Sequence, residues 1–349
     1  MRRTVVSLTL AAGLALSLAA CGAPAAAPTS PAASAPGTSD PATTDSFPVT
    51  VKHAYGETVI ESKPERVATV AWSNHDTALA LGVVPVGMAA QTYGVTDGSG
   101  VLEWTAAKLK ELGAETPVLF DETDGINFDA VNTVEPDVIL AGLSGLTQEE
   151  YDTLSAIAPT IAFPGLSWGT SWRDTIKVNS AGLGMAAQGD ALIADLEGQI
   201  QTAVAAYPQI AGKTAAFLYI NPTDFGTIGV YTTNDARVAY LYDLGMTAPA
   251  SVASLSEGST SFYEDISAEN ADTLADIDII FTYGTPELLT KLQADPLIGS
   301  IPAIKRGSVA LVEDGTPLAA AVSPPSALSL TWGLEEYLAL AAAAADKVA

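Results

Sequence analysis

Thiol and imidazole groups are nearly missing from this sequence. Cys21 is the one cysteine, so neither an intrachain disulfide nor a cysteine metal cluster is possible. His53 and His75 are the only histidines, too few to build the usual zinc site of several His or Cys ligands. No directly bound metal and no resident cofactor is therefore expected; iron held by tyrosines and carboxylates stays chemically open, but no spacing argues for it. Positive charge is also scarce. Against 40 acidic residues stand 15 basic ones, a net charge of −25, and such a surface repels nucleic acid and anionic lipid headgroups. Catalytic signatures are incomplete. Gly165, Leu166, Ser167, Trp168, Gly169 form a GxSxG pattern, yet both histidines precede Ser167, whereas the general base of a nucleophile elbow is usually a histidine after the serine. Gly212, Lys213, Thr214 end like a phosphate loop, but Tyr207 occupies the position of the required first glycine, and GVTDGSG lacks dinucleotide spacing. A serine esterase is the enzymatic alternative; the expectation is a protein that is not an enzyme.

What is present begins with an address. Arg2 and Arg3 precede an apolar stretch, Val5 to Leu18, too short for a comfortable membrane span. The LAAC ending at Cys21 resembles the lipobox of bacterial lipoproteins, which implies cleavage after residue 20 and a lipid on Cys21. From there to residue 46 the chain is Ala, Pro, Ser and Thr with almost no large apolar side chain, so it cannot offset the entropy of ordering. Residues 1–20 read as a signal peptide and 21–46 as a tether.

Beyond the tether, apolar runs alternate with helical patterns. PVTVKHAYGETVIES reads as a strand pair turning near Gly56. RVATVAW, PVGMAA, PVLF, VILAG and TIAF read as strands separated by helices, and AAFLYI, IIFTYG and VALVE repeat the plan after residue 189. This predicts two α/β lobes with mainly parallel sheets, 47–167 and 189–349. Between them, Trp172, Ile176, Asn179 and Leu183 recur at helical spacing, as do Leu192, Leu196, Ile200, Ala203 and Tyr207, with Gly182, Gly184 and Gly189 interrupting. The first of these helices, within 168–188, is the expected bridge. FDAVNTVEPDVILAG upstream and AENADTLADIDIIFTYG downstream repeat one motif, an acidic helix before an apolar strand.

Ligands of parallel sheets sit outside the carboxyl ends of the strands. The loops there carry Trp72, Tyr93, Trp168, Tyr231 and Tyr283, which form the candidate aromatic walls of a cleft between the lobes. Trp172 stands beside them at the start of the bridging helix. Arg173 and Arg237 are the candidate cations, able to fork onto carboxylate or catecholate oxygens and to stack on rings. Each also has an acid nearby, Asp174 or Asp235, and so could be a structural ion pair.

Taken together, PERVATVAWSNHDTALALGVVPVGM, NFDAVNTVEPDVILAG, TSWRDTIKVNSAGLG and DPLIGSIPAIKRGSVALV resemble the iron–siderophore-binding lipoproteins of bacterial ABC importers, within a cluster that also holds cobalamin- and haem-binding proteins. The resemblance covers nearly everything from Phe47 onward. It implies two lobes joined by one long helix, little hinge motion, a ferric siderophore held between the lobes with cobalamin or haem as the alternative, and a monomer anchored outside the cytoplasm. It further implies that Asp129 and Glu269, one per lobe, dock onto arginines of the membrane permease, although Asp129 stands where Glu is common. The two arginines cannot separate siderophore classes.

Overall fold

The computed structural model describes residues 46–348. The signal peptide, Cys21 and nearly all of the tether lie outside the described residues. No helix among those described is long and apolar enough to cross a membrane.

A hairpin opens the fold, β1 (Val49–His53) pairing with β2 (Gly56–Ile60). Then comes a five-stranded parallel sheet made of β3 (Val67–Thr69), β4 (Gly87–Ala89), β5 (Val118–Phe120), β6 (Val138–Leu140) and β7 (Thr160–Ile161), in the order β5-β4-β3-β6-β7. The central strands β3, β4 and β6 are buried along their length, as expected for a sheet covered on both faces.

The second sheet consists of β8 (Ala215–Ile220), β9 (Thr227–Tyr231), β10 (Tyr263–Ser267), β11 (Ile279–Tyr283) and β12 (Val309–Val312), in the order β10-β9-β8-β11-β12. Its β8, β11 and β12 run parallel, so β8 and β11 hold the places of β3 and β6. The repeat fails at β9, which is antiparallel to β8. Only a short loop, residues 221–226, joins the two, far less than a parallel crossover needs, whereas a helix, Asn74–Ala80, fits between β3 and β4.

Between the lobes runs the helix Trp172–Gly182, capped by Ser171 Oγ, which accepts from the Asp174 amide at 3.1 Å. It serves two cores. Trp172 and Ile176 pack with Phe217, Phe281 and Tyr337 of the second lobe, while Val178 and Ala181 pack with Val51, Leu140 and Ile161 of the first. The expected bridge thus spans 11 residues rather than all of 168–188. A turn at Gly184 follows, with φ +65°; a Cβ there would fall 2.2 Å from the Phe47 ring. The chain then reverses into the helix Ala186–Val204, which opens the second lobe.

The lobes share more than this helix. Leu102 and Trp104 of the first lobe belong to the same apolar cluster as Leu330 and Leu334 of the terminal helix Ser329–Ala345, and the Trp104 ring lies 5.2 Å from that of Trp332. At the seam Asp76, fully buried, accepts from Trp104 Nε1 at 2.8 Å and Thr105 Oγ1 at 2.9 Å and bonds Ser326 across the lobes. A continuous core with a buried polar bolt favours fixed lobes over hinged ones.

Candidate functional site

Where the ends of both sheets meet, a cavity of about 390 Å³ opens between the lobes. The first lobe supplies Trp72 from the loop after β3, Tyr93 from the loop after β4, and Leu143 and Trp168 from the loops after β6 and β7. Asp235, Arg237, Phe262 and Tyr283 close it from the second lobe, with Ser323 and Pro324 at its rim.

Local chemistry fixes each wall. Asn74, with no exposed surface, donates from Nδ2 to the carbonyls of Val70 and Leu143, both at 2.8 Å, and its Oδ1 accepts from the Leu143 amide at 2.9 Å and Asn179 Nδ2 at 3.0 Å. One side chain therefore ties two cavity loops to the bridging helix. Trp168 adopts φ +59°, and its amide donates to the Ser144 carbonyl at 2.9 Å. Its indole lies on Gly145, where a Cβ would come within 2.0 Å of Nε1. The ring remains 43 % exposed, open to a ligand.

Across the cavity, Arg237 stacks its guanidinium 3.9 Å from the Tyr231 ring centre and 5.8 Å from that of Phe217. Its Nε donates to Asp235 Oδ1 at 2.8 Å and its Nη1 to the Tyr283 hydroxyl at 3.1 Å; that hydroxyl also bonds Ser323. Asp235 caps the helix Ala236–Asp243 and is only 2 % exposed. Burial pushes Asp235 up from the usual carboxylate range while Arg237 pulls it back. Burial likewise opposes the Arg237 charge, but Asp235 outweighs it, so the guanidinium stays protonated. Burial also raises Tyr231 to about 12, and Tyr283 shifts upward for the same reason, keeping both as neutral phenols at physiological pH. Tyr93 reaches across the lobes, its hydroxyl donating to Asp314 at 2.7 Å.

The cavity thus presents aromatic faces, phenol hydroxyls and one guanidinium whose charge is balanced by its own carboxylate. Such a surface suits a bulky, largely apolar ligand with a few outward oxygens.

Of the eight residues expected to bind ligand, Trp72, Tyr93, Trp168, Arg237 and Tyr283 line the cavity, and Tyr231 lies beneath Arg237 as its stacking platform. Trp172 and Arg173 are not among its walls. Trp172 is 1 % exposed, and its Nε1 donates to Asp243 Oδ2 at 2.8 Å. Arg173 pairs with Glu197 at 2.6 Å and Asp243 at 2.8 Å, a strut from the bridging helix to the second lobe. The acid that captures Arg173 comes from Asp243, far along the chain, and the neighbouring Asp174 instead engages Ser171. The acid expected near Arg237, Asp235, does pair with it. Phe262, Ser323 and Asn74 were missed by the sequence reading and carry no signal in it.

Asp129 and Glu269 are exposed, each near the start of a helical segment, Phe128–Thr133 and the 3-10 stretch Ala268–Leu274. These segments precede β6 and β11, topological equivalents in the two sheets. The histidines are engaged elsewhere: His53 Nε2 lies 2.9 Å from Thr58 Oγ1, and buried His75 lies 3.4 Å from Thr105 Oγ1.

Comparison with known proteins agrees with this geometry. Residues 67–314 match the periplasmic binding protein family model. The probable siderophore-binding lipoprotein YfiY of Bacillus subtilis is 26% identical over 239 residues, 67% of this chain and 69% of that protein. The ferric-anguibactin-binding protein FatB of Vibrio anguillarum is 25% identical over 278 residues, 76% and 80% of the two chains. Among solved structures, PiaA of Streptococcus pneumoniae in complex with ferrichrome superimposes with a TM-score of 0.83 at 47% identity, covering 86% of this chain and all (100%) of that one. Sequence and fold agree, and the chain belongs to the periplasmic binding protein family.

Proposed function

We propose that this chain is the substrate-binding component of an ABC importer and that its interlobe cavity captures a ferric siderophore of the hydroxamate class. The observation that carries the class is the Asp235–Arg237 pair. Three hydroxamates neutralise Fe(III), whereas three catecholates leave a triply negative chelate. That anion would meet one already balanced cation inside a protein of net charge −25 and would be disfavoured both locally and at long range. A neutral chelate avoids both penalties and presents apolar flanks to Trp72, Trp168 and Phe262. The ferrichrome bound by the PiaA neighbour is consistent with this choice.

The protein acts as a carrier without turnover, a reading supported by the family and by the engagement of both histidines away from Ser167. It is held outside the cytoplasm by lipid on Cys21, and Asp129 and Glu269 steer it onto basic residues of the permease as a monomer. Native mass spectrometry of the protein purified from iron-fed cells supplying hydroxamate siderophores tests the reading. An adduct of ferric hydroxamate mass is expected; cobalamin or haem in its place would overturn it.

A further inference from the structure

The backbone around Trp72 departs from ordinary geometry. Ala71 and Ser73, on either side of it, both adopt left-handed conformations, φ +58° and +59°, which residues with a Cβ rarely occupy unless something holds them there. Asn74 anchors the far side of this bend through the Val70 carbonyl. On the near side the holder is Glu122, from the loop after β5. Its Oε2 accepts the Ala71 amide at 2.9 Å, and its Oε1 is buried with no hydrogen-bond partner.

We propose that Glu122 is a positioning residue for ligand recognition: by clamping the Ala71 amide it holds the bend that carries Trp72 into the cavity, and its protonation loosens that wall and weakens binding. This rests on the cavity being the chelate site proposed above. An ionised carboxylate makes a stronger, charge-assisted bond to an amide than a protonated one does. Protonation would also place a hydroxyl where no acceptor stands. Glu122 is not itself a wall of the cavity, so a ligand touches it only through the Trp72 bend.

Glu122 is poised to titrate in the physiological range. Burial pushes it up to about 7, the Ala71 amide lowers it, and among the described residues the charged group acting on it is Glu150, which raises it from the capping box of the helix Gln148–Ile157. If binding selects the ionised, clamped form, linkage requires affinity to fall as pH drops through the free-protein value.

The test measures ferrichrome affinity by tryptophan quenching from mildly acidic to mildly alkaline pH in the wild type, Glu122→Gln and Glu122→Ala, with amide hydrogen exchange of the segment from Val70 to Asn74 in the ligand-free proteins. Wild-type affinity should fall several-fold on the acid side of neutrality. Glu122→Gln, which keeps an acceptor oxygen but no titration, should bind with a flat profile, and Glu122→Ala should bind weakly throughout and exchange the Ala71 amide faster. Matching pH profiles in wild type and Glu122→Gln, tighter binding in acid, or unchanged exchange in Glu122→Ala would overturn the proposal. If ferrichrome binds none of the proteins, the functional reading fails, and the exchange arm still judges the clamp.

Discussion

Replacing Arg237 separates its proposed role in recognition from its structural one, because its guanidinium both lines the cavity and pairs with Asp235. In Arg237→Ala the chelate loses a charge-assisted donor, at a cost of about 1.5–3 kcal/mol, or roughly 10- to 150-fold in Kd at 1.4 kcal/mol per decade. The same change strands Asp235, which is 2 % exposed and keeps only its capping role. Removing one partner of a buried pair typically costs about 3–5 kcal/mol of stability. The single variant should therefore be weak both as a binder and as a fold. Adding Asp235→Asn removes the stranded charge while leaving an oxygen to cap the helix, so Arg237→Ala/Asp235→Asn should recover most of the lost stability without recovering affinity. Urea denaturation and ferrichrome titration of the same preparations read the two effects. If the double variant regains wild-type affinity, Arg237 acts through the fold and touches no ligand; if Arg237→Ala binds normally, the cation has no part in the site.

Trp172→Ala should lose about 3–5 kcal/mol of stability, while Arg173→Ala, whose side chain is 30 % exposed, should lose only about 1 kcal/mol; chemical denaturation checks both, and ferrichrome affinity of the folded fraction should stay unchanged. Gly145→Ala must displace the Trp168 indole, since the added Cβ would come within 2.0 Å of it; a Kd about tenfold weaker at nearly unchanged stability is expected by titration, as for the loss of roughly 1.4 kcal/mol of stacking. Asp129→Lys and Glu269→Lys should leave chelate binding intact and reduce uptake by cells, with the double reversal more severe because like charges then oppose docking on both lobes. Normal uptake in the double variant would return these acids to solvated helix starts.

The lobes and their parallel strands were legible because β3, β6, β8 and β11 are short apolar runs with a helical pattern on at least one side, a local signal. The reversed β9 was not. Its direction follows from a short loop, residues 221–226, and from pairing with β8 and with β10, more than thirty residues farther on. The helix Pro317–Val322 and the turn after it, which bring Ser323 to the cavity and Ser326 to Asp76, were hidden for a related reason. Their role lies in tertiary contacts with a segment some 250 residues away, and small residues give no periodic signal. Of the aromatic residues after strands, Trp72, Tyr93, Trp168 and Tyr283 reach the cavity wall. Trp172 broke the pattern because helical phase, set by Ile176 on the same face, turned it into the core. The proposed siderophore class was illegible because it rests on whether Arg237 is free or paired, and the 2.8 Å partner at Asp235 is visible only in the structure.

The central claim, a neutral ferric hydroxamate held between the lobes, is tested most directly by isothermal titration of the purified protein with ferrichrome, a ferric tris-catecholate, cobalamin and haem under one buffer condition. Saturable one-to-one binding of ferrichrome, with the tris-catecholate at least about a hundredfold weaker, a gap of roughly 2.7 kcal/mol, is the predicted result. Equal or tighter binding of the triply charged chelate, or saturation by cobalamin or haem alone, would contradict it.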